Sequence, residues 1–346
     1  MKNIFKNGLR GRKSSLRKRE GSLRKREGSL RKREGSLRKR EGGLRKREGG
    51  LRKRKEGKEG KDRMERLEGN MKEGKKKAEQ VIPIRVPGQK TGEAYLAVYP
   101  SPGKGEKKPG VVICPGGGYW QVVEKEGEPV ARAFNRMGCQ AFVLHYSVLP
   151  DGFPTSLLEL AKAVAILRNR AKEWDLDPER LVVCGFSAGG HLACSLGVFW
   201  NREFVWKEIG EKDGRGIRPD GMILGYPVIT SGPYAHKAFV SRLFEHKGGP
   251  GPEDAGLVSL EKQVTEDTPK AFIWQTCTDA DVPVENSLLL AMAMREKGVN
   301  VELHIFPDGP HGLSLATEET SGGDPCFENP HCAAWLTQAG LWLGNV

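Results

Sequence analysis

The chain has 346 residues, enough for one large domain or two smaller ones. Its 57 Lys and Arg exceed its 44 Asp and Glu by 13, but residues 1–79 alone hold 32 basic and 12 acidic residues, which leaves residues 80–346 at a net charge of −7. No apolar run reaches the ~20 residues of a transmembrane helix, and the basic N-terminus lacks the apolar stretch of a secretory signal, so we expect a cytoplasmic protein.

Residues 1–79 are predicted to form a disordered, basic, low-complexity tail. From Ser15 to Arg54 the sequence SLRKREG or GLRKREG repeats every seven residues, with one leucine and one glycine in each repeat. A coiled coil needs two apolar positions per heptad, and a glycine costs about 1 kcal/mol inside a helix. The positive charge of every repeat also favours disorder. We expect the tail either to be passive or to make weak contact with a polyanion such as RNA, DNA or anionic lipid.

Residues 80–346 alternate short apolar segments with segments of helical period. An early strand is predicted at Glu93–Tyr99. Six further segments have the length and composition of buried strands: Val111–Cys114, Ala141–His145, Leu181–Cys184, Met222–Tyr226, Ala271–Thr276 and Val301–Phe306. Helices are predicted at Leu157–Trp174, His191–Leu196 and Ser287–Lys297. This order predicts one α/β domain, a mainly parallel sheet with helices on both faces, whose ligands bind beyond the carboxyl ends of the strands.

A glycine-rich segment, Pro-Gly-Gly-Gly-Tyr at residues 115–119, comes directly after a predicted strand. It lacks the Gly-Lys-Ser/Thr ending of a P-loop and the spacing of a dinucleotide-binding loop. Backbone N–H groups of glycines can approach a ligand closely, so we interpret the segment as an oxyanion loop in which Gly117 or Gly118 donates. Tyr119 and Trp120 are predicted either to form an aromatic wall of the substrate pocket or to pack beneath the loop.

The segment Gly-Phe-Ser-Ala-Gly at residues 185–189 matches the G-x-S-x-G motif of serine hydrolases. A predicted strand precedes it and a helix-forming stretch follows it, which is the context that this motif requires. The turn should lift the hydroxyl of Ser187 above the edge of the sheet, where it can act as a nucleophile. The amide of Ala188, the next residue, should donate to the oxyanion.

A serine hydroxyl needs a general base, and the base needs an acid that orients it. In hydrolases with this motif the acid and then the histidine follow the serine along the chain. His311 lies in a loop after a predicted strand, whereas His191 and His304 lie within a helix and a strand and are interpreted as structural. The acid should follow the preceding strand. Asp279 stands three residues before a Val-Pro pair, as is usual in such enzymes, and Asp281 is the alternative.

Several stretches of the globular part recur together in one family. They are ICPGGGYW at 113–120, EGEPVARAF at 126–134, VVCGFSAGGHLA at 182–193, YPVITSGPYAH at 226–236, VPVENSLLLA at 282–291 and VELHIFPDGPHGLSLA at 301–316. Residues 80–346 thereby resemble the intracellular acetylxylan-esterase-like branch of the α/β-hydrolases. The resemblance implies an α/β-hydrolase fold and hydrolysis of carboxylic esters, often acetyl groups on xylo-oligosaccharides, with Ser187, Asp279 and His311 as the catalytic triad.

Some parts of the chain depart from the family's sequence pattern, and the role of other residues stays open. The tail has no counterpart in the family, and residues 318–330 are predicted to be an irregular loop. Glu126 and Glu128 belong to the pattern, either beside the pocket or in a capping role. Since the spacing of Cys326, His331 and Cys332 fits no common zinc pattern, we expect neither a metal nor a cofactor.

The sequence thus predicts a serine carboxylesterase whose partner is a small ester or an acetylated oligosaccharide. Whether it is a homo-oligomer stays open. One alternative is a peptidase of the prolyl-peptidase type, although the chain lacks the residues for a propeller domain. Another is a scaffold of the same fold that binds without catalysis, which would not require an intact triad.

Overall fold

The structure is a computed structural model that describes residues 78–103, 105–236 and 238–344. The predicted tail lies outside the described residues up to residue 77. Within the described part, eight strands form one sheet: β1 (Gln80–Pro83), β2 (Tyr95–Tyr99), β3 (Lys108–Cys114), β4 (Gln140–His145), β5 (Leu176–Phe186), β6 (Gly221–Gly225), β7 (Ala271–Thr276) and β8 (Val301–Phe306).

The order of strands across the sheet is β1-β2-β4-β3-β5-β6-β7-β8. β2 pairs antiparallel with both β1 and β4, and every pair from β4 to β8 is parallel. Successive side chains of β3 enter opposite faces: Val111 and Ile113 join one apolar core, and Val112 and Cys114 join the other. Both faces are therefore buried, as the apolar strand sequences require. The predicted mainly parallel sheet is confirmed.

The helices of the described part alternate with the strands along the chain from β3 onward. They are α1 (Glu128–Arg136), α2 (Thr155–Asn169), α3 (Ala188–Phe199), α4 (Glu203–Trp206), α5 (Phe239–Leu243), α6 (Asp254–Leu257), α7 (Glu285–Glu296), α8 (Glu318–Ser321) and α9 (Pro330–Leu343). Buried side chains of α2, α3 and α7 belong to the core on one face, and those of α1 and α9 to the core on the other. The sheet is thus covered on both sides, which leaves its carboxyl edge for a site.

The structure differs from the sequence prediction at several element boundaries. The predicted helix over Leu157–Trp174 ends at Asn169, and a separate 3-10 turn follows at Ala171–Trp174. Strand β5 starts five residues earlier than predicted, with an irregular register against β3. Residues 318–330 contain α8 and a 3-10 turn rather than an irregular loop throughout. No helix in the described ranges is both long and apolar enough to cross a membrane.

Candidate active site

Ser187 occupies the tight turn between β5 and α3. Its backbone has φ 54° and ψ −118°, a conformation that non-glycine residues rarely adopt and that costs of the order of 1–3 kcal/mol. The turn needs small neighbours: a Cβ on Gly185 would lie 2.1 Å from the carbonyl oxygen of Gly189, and a Cβ on Gly189 would lie 2.0 Å from that of Cys114. The glycines therefore allow the turn that presents the Ser187 hydroxyl at the sheet edge.

Three residues far apart in sequence meet at this edge. Nε2 of His311 lies 2.8 Å from Oγ of Ser187, and Nδ1 of His311 lies 2.7 Å from Oδ2 of Asp279. A carboxylate can only accept a hydrogen bond, so Nδ1 carries the proton and Nε2 presents its lone pair to the hydroxyl. The arrangement can remove a proton from Ser187 and hold the charge that then develops on the imidazole.

Asp279 is held rigidly while Asp281 faces solvent. Oδ1 of Asp279 accepts hydrogen bonds from the amides of Asp281 and Val282, at 3.0 and 2.9 Å, and its side chain is fully buried. Asp281 is exposed, and it lines the cavity that also contains Ser187 and His311. Of the two candidate acids in the sequence, the structure brings Asp279 against the imidazole.

The charges around His311 favour its protonated form. Burial by itself lowers the pKa of this histidine, but the hydrogen bond and charge of Asp279, together with the charges of Glu126 and Asp281, outweigh it and raise the pKa above its ordinary value. The imidazole is therefore a stronger base than a free histidine side chain.

The glycine loop, residues 115–119, faces the nucleophile turn. Gly117 and Gly118 have φ of 126° and 64°, values that favour glycine. Among the described residues, no acceptor binds the amides of Gly117, Gly118 and Ala188, whereas the amide of Gly116 donates to Glu126. Ala188 is the first residue of α3, so its amide also lies at the positive end of the helix dipole. These three amides can stabilise an oxyanion.

A cavity of about 280 Å³ opens above Ser187 and His311. Trp120 lines it, together with Gly117, Gly118 and Ala188. The prediction that Tyr119 also reaches the pocket is corrected by the structure. Tyr119 is buried beneath the glycine loop, where its hydroxyl lies 2.8 Å from Nδ1 of His191.

The cavity wall includes two basic residues that the sequence motifs did not single out. His236 and Arg242 line it, and the guanidinium of Arg242 lies 5.7 Å from the ring centroid of Trp120. Burial, followed by the charges of Arg242 and His311, lowers the pKa of His236, so its imidazole is neutral at neutral pH. His236 ends a family stretch and could have been suspected on that ground, but Arg242 belongs to no motif and only the fold places it here.

The other histidines interpreted as structural lie away from this chemistry. His191 is fully buried in α3, and burial lowers its pKa to about 3. His304, on the edge strand β8, lies 2.8 Å from Glu302. Within the described ranges, no group of three or more His, Cys, Asp or Glu side chains is arranged to hold a metal ion.

Known proteins resemble this chain in sequence, and a solved structure also resembles it in fold. The BD-FAE family model matches residues 96–294. Endo-1,4-beta-xylanase B of Butyrivibrio fibrisolvens is 41% identical over 230 residues, which are 64% of this chain and 36% of that protein. The acetylxylan esterase of Xylanibacter ruminicola is 32% identical over 212 residues, 60% of this chain and 41% of that protein. The chain thus spans well under half the length of these curated relatives.

A solved structure matches over nearly its whole length. The acetyl ester-xyloside bifunctional hydrolase of Caldicellulosiruptor lactoaceticus is 33% identical, with a TM-score of 0.67. The match covers 78% of this chain and 96% of that one. The similarity therefore includes more than three quarters of the chain rather than the nucleophile turn alone.

Proposed function

The chain belongs to the BD-FAE family of α/β-hydrolases, and from this premise we propose that it is a serine carboxylesterase that deacetylates small acetyl esters, among them acetylated xylo-oligosaccharides. The observation that carries the proposal is the continuous hydrogen-bonded chain from Asp279 through His311 to Ser187 in the wall of a cavity. The names of two relatives, an acetylxylan esterase and an acetyl ester-xyloside hydrolase, support the substrate class.

Acylation would begin when Ser187 attacks the ester carbonyl. His311 takes the hydroxyl proton on Nε2, while Asp279 fixes the tautomer and stabilises the imidazolium. The carbonyl oxygen becomes an oxyanion that accepts hydrogen bonds from Ala188 and from Gly117 or Gly118, and donors of this kind contribute about 3–4 kcal/mol each to transition-state stabilisation. When the tetrahedral intermediate collapses, His311 returns the proton to the leaving alcohol.

Deacylation would use the same catalytic groups, with Ser187 now as the leaving group. Water takes the place of the alcohol, and His311 removes its proton as it attacks the acyl-serine ester. The second tetrahedral intermediate forms against the same amides. Its collapse releases acetate and returns the proton to Oγ of Ser187, so no metal or organic cofactor is needed for either half of the reaction.

The size of the cavity favours a short acyl group. Its volume of about 280 Å³ is at the lower end of the range for small-molecule pockets. Phe239 and Val228 are apolar residues of the wall, which also contains charged and polar residues. A pocket of this size can take an acetyl group together with part of a sugar more readily than a long acyl chain.

The test of this function is a hydrolysis panel on the whole chain, with the Ser187→Ala variant as the blank. The panel contains nitrophenyl esters from acetate to octanoate, acetylated xylo-oligosaccharides and a proline-containing peptide substrate. We expect kcat/KM to be highest for acetyl esters and to fall with acyl length. Cleavage of the peptide in preference to every ester would favour a prolyl-peptidase-like activity, and no turnover of any substrate would favour a binding scaffold.

The activity is expected to fall at acidic pH. His311 must be neutral to accept the proton from Ser187, and its pKa is raised above the ordinary value of about 6.5. The rate therefore rises with pH through this raised pKa and is lost below it. We expect the acid limb of kcat/KM for nitrophenyl acetate to have its midpoint above pH ~6.5. Full recovery of activity after return to neutral pH is the control, and a midpoint at or below the ordinary value would contradict the prediction.

Replacing Trp120 with alanine is expected to weaken binding of the sugar more than that of the acyl group. The indole lines the cavity, and we expect its flat apolar face to contact the alcohol portion of the substrate. Loss of such a face costs about 1–1.5 kcal/mol, so KM for acetylated xylo-oligosaccharides should rise about tenfold. The kcat/KM for nitrophenyl acetate should change by less than about threefold. Tyr119→Phe, beneath the loop, is the control, and equal losses on both substrates would oppose a sugar-binding role.

A further inference from the structure

A buried carboxylate next to the triad takes no part in the proton transfers of the proposed mechanism. Glu126 ends the 3-10 turn Glu124–Glu126 before α1 and is 2% exposed. It lines the cavity, and within the described part of the chain it has no salt-bridge partner. Burying an unpaired carboxylate is costly, so hydrogen bonds from its neighbours must compensate for it.

One oxygen of this carboxylate holds the glycine loop. Oε2 of Glu126 accepts a hydrogen bond of 2.7 Å from the amide of Gly116. A Cβ on Gly116 would lie 2.8 Å from this oxygen and 3.0 Å from Cβ of Ser187. Gly116 is therefore wedged between the carboxylate and the nucleophile turn, and its bond to Glu126 fixes the chain direction into Gly117 and Gly118.

The other oxygen reaches the loop that carries the base. Oε1 of Glu126 accepts a hydrogen bond of 2.7 Å from the hydroxyl of Tyr226, which in turn accepts one of 2.9 Å from the amide of Ser314. Burial and the charge of Glu126 raise the pKa of Tyr226 well above its ordinary value, so this hydroxyl keeps its proton and donates. The ring of Tyr226 also packs edge-on against His311, with 5.0 Å between the ring centroids.

Ser314 is fixed from three sides. Besides the bond to Tyr226, its hydroxyl donates to the carbonyl of Lys125 at 2.7 Å, and its carbonyl accepts a bond of 2.9 Å from the indole of Trp335 in α9. Its backbone has φ 55°, a conformation that a residue other than glycine adopts only when its surroundings impose it. The histidine loop, residues 307–316, is therefore held in one conformation by the Glu126 turn and by α9.

We propose that Glu126 is a positioning residue for ester hydrolysis: its carboxylate fastens the glycine loop and the histidine loop to each other, through Gly116 on one side and Tyr226 on the other. The oxyanion donors and the general base then keep one relative geometry throughout the reaction. This inference rests on the proposed function. A displacement of such donors by about 1 Å can lower a catalytic rate about a hundredfold, so a contact that fixes their position favours catalysis.

The variants Glu126→Gln, Glu126→Ala and Tyr226→Phe test the link, with Glu159→Gln as the matched control. Glutamine can accept from only one of the two donors, so one of the two bonds must be lost or must reverse its direction. Glu159 is also a buried carboxylate, but its hydrogen-bond partners Gln89 and Ser147 do not line the cavity. The readouts are kcat and KM for nitrophenyl acetate, the inhibition constant of a methyl trifluoromethyl ketone, and active-site concentration by burst titration.

We expect kcat per titrated site to fall about tenfold for Glu126→Gln and about a hundredfold for Glu126→Ala, with KM within about threefold of wild type. Tyr226→Phe should lie between wild type and Glu126→Ala. The ketone binds as a serine adduct with an oxyanion, so its affinity should fall in parallel with kcat/KM. Glu159→Gln should alter thermal stability and leave kcat per site unchanged.

The pH profile separates this role from a merely structural one. Among the described residues, Asp279 and Asp281 from the loop after β7 and Glu126 from the 3-10 turn raise the pKa of His311 by their charges. Lys125 from the same turn, and His236 and Arg242 from the segment after β6, line the same cavity. Removing the negative charge of Glu126 should move the acid limb of kcat/KM to lower pH in Glu126→Gln. Neither Tyr226→Phe nor Glu159→Gln removes that charge, so both should keep the wild-type midpoint.

The outcomes distinguish this inference from the proposed function. If wild type is active, and Glu126→Gln and Tyr226→Phe keep its kcat per site, ketone affinity and acid limb, the positioning role is wrong. Losses explained entirely by fewer titratable sites would also overturn it. If Glu126→Ala does not fold, the other two variants decide. A wild-type chain that hydrolyses no ester would contradict the proposed function itself, before any variant is compared.

Discussion

Replacing Ser187 with alanine is expected to lower kcat for ester hydrolysis by about 10⁶-fold and to leave KM nearly unchanged. The change removes the hydroxyl that would form the acyl-enzyme. His311 and the amides of the glycine loop remain, so the residual rate comes from attack of water on a bound and polarised ester. The measurement is hydrolysis of nitrophenyl acetate at high enzyme concentration, because a trace of wild-type contamination would otherwise dominate.

The control is Ser195→Ala in α3, the helix that follows the nucleophile turn. Ser195 is buried, its Oγ lies 3.5 Å from Nδ1 of His191, and it does not line the cavity. It should keep wild-type kcat, with a small change in thermal stability. A Ser187→Ala chain that retains more than a thousandth of wild-type kcat after active-site titration would mean that another nucleophile carries the reaction.

The central strands could be predicted from the sequence because they are buried on both faces. The predicted segments Ala271–Thr276 and Val301–Phe306 match β7 and the half-buried edge strand β8 residue for residue. The α/β-hydrolase fold that the family stretches implied is confirmed by the sheet topology and by the solved relative. Strand β1 was missed because it has four residues, ends in proline and is partly exposed, so neither length nor alternation marks it.

The C-terminal helix was missed although it carries a readable signal. Trp335, Ala339 and Trp342 are spaced by four and three residues, and all three are buried against the sheet in α9. The sequence analysis considered the Cys and His residues at the start of this segment only as possible metal ligands. Helical spacing of large apolar residues would have been the better guide.

The members of the proposed triad could be selected from the sequence because each has a local mark. Ser187 lies in a motif, His311 follows a strand, and Asp279 precedes a Val-Pro pair. The Glu126–Tyr226 contact has no such mark, since the two residues are 100 positions apart and meet only because the fold brings β6 beside the turn before α1. The sequence left Tyr119 either in the pocket wall or beneath the loop, and only the structure shows that its side chain is buried against His191.

The choice between the two candidate acids leads to the second large effect. Asp279→Asn is expected to lower kcat by about 10³–10⁴-fold, whereas Asp281→Asn should stay within about tenfold of wild type. In wild type, Oδ1 of Asp279 accepts from the amides of Asp281 and Val282, and Oδ2 accepts from Nδ1 of His311. Asparagine would keep its oxygen toward the two amides and turn its NH₂ group toward Nδ1.

That orientation determines the size of the loss. An NH₂ group can only donate, so Nδ1 of His311 would have to accept and the ring proton would move to Nε2. Nε2 could then no longer take the proton of Ser187, although every heavy atom would stay in place. Asp281→Asn leaves the amide of residue 281 bonded to Asp279 and removes only an exposed charge that contributes to the raised pKa of His311.

The measurement is kcat and KM of both variants on nitrophenyl acetate, with thermal unfolding to show that each is folded. Both substitutions remove one negative charge near His311, so the pair controls for charge and isolates the effect of the tautomer. The reverse ranking would assign the orienting role to Asp281. Equal losses in the two variants would mean that the field of the two carboxylates, rather than the hydrogen bond from Nδ1, makes His311 a base.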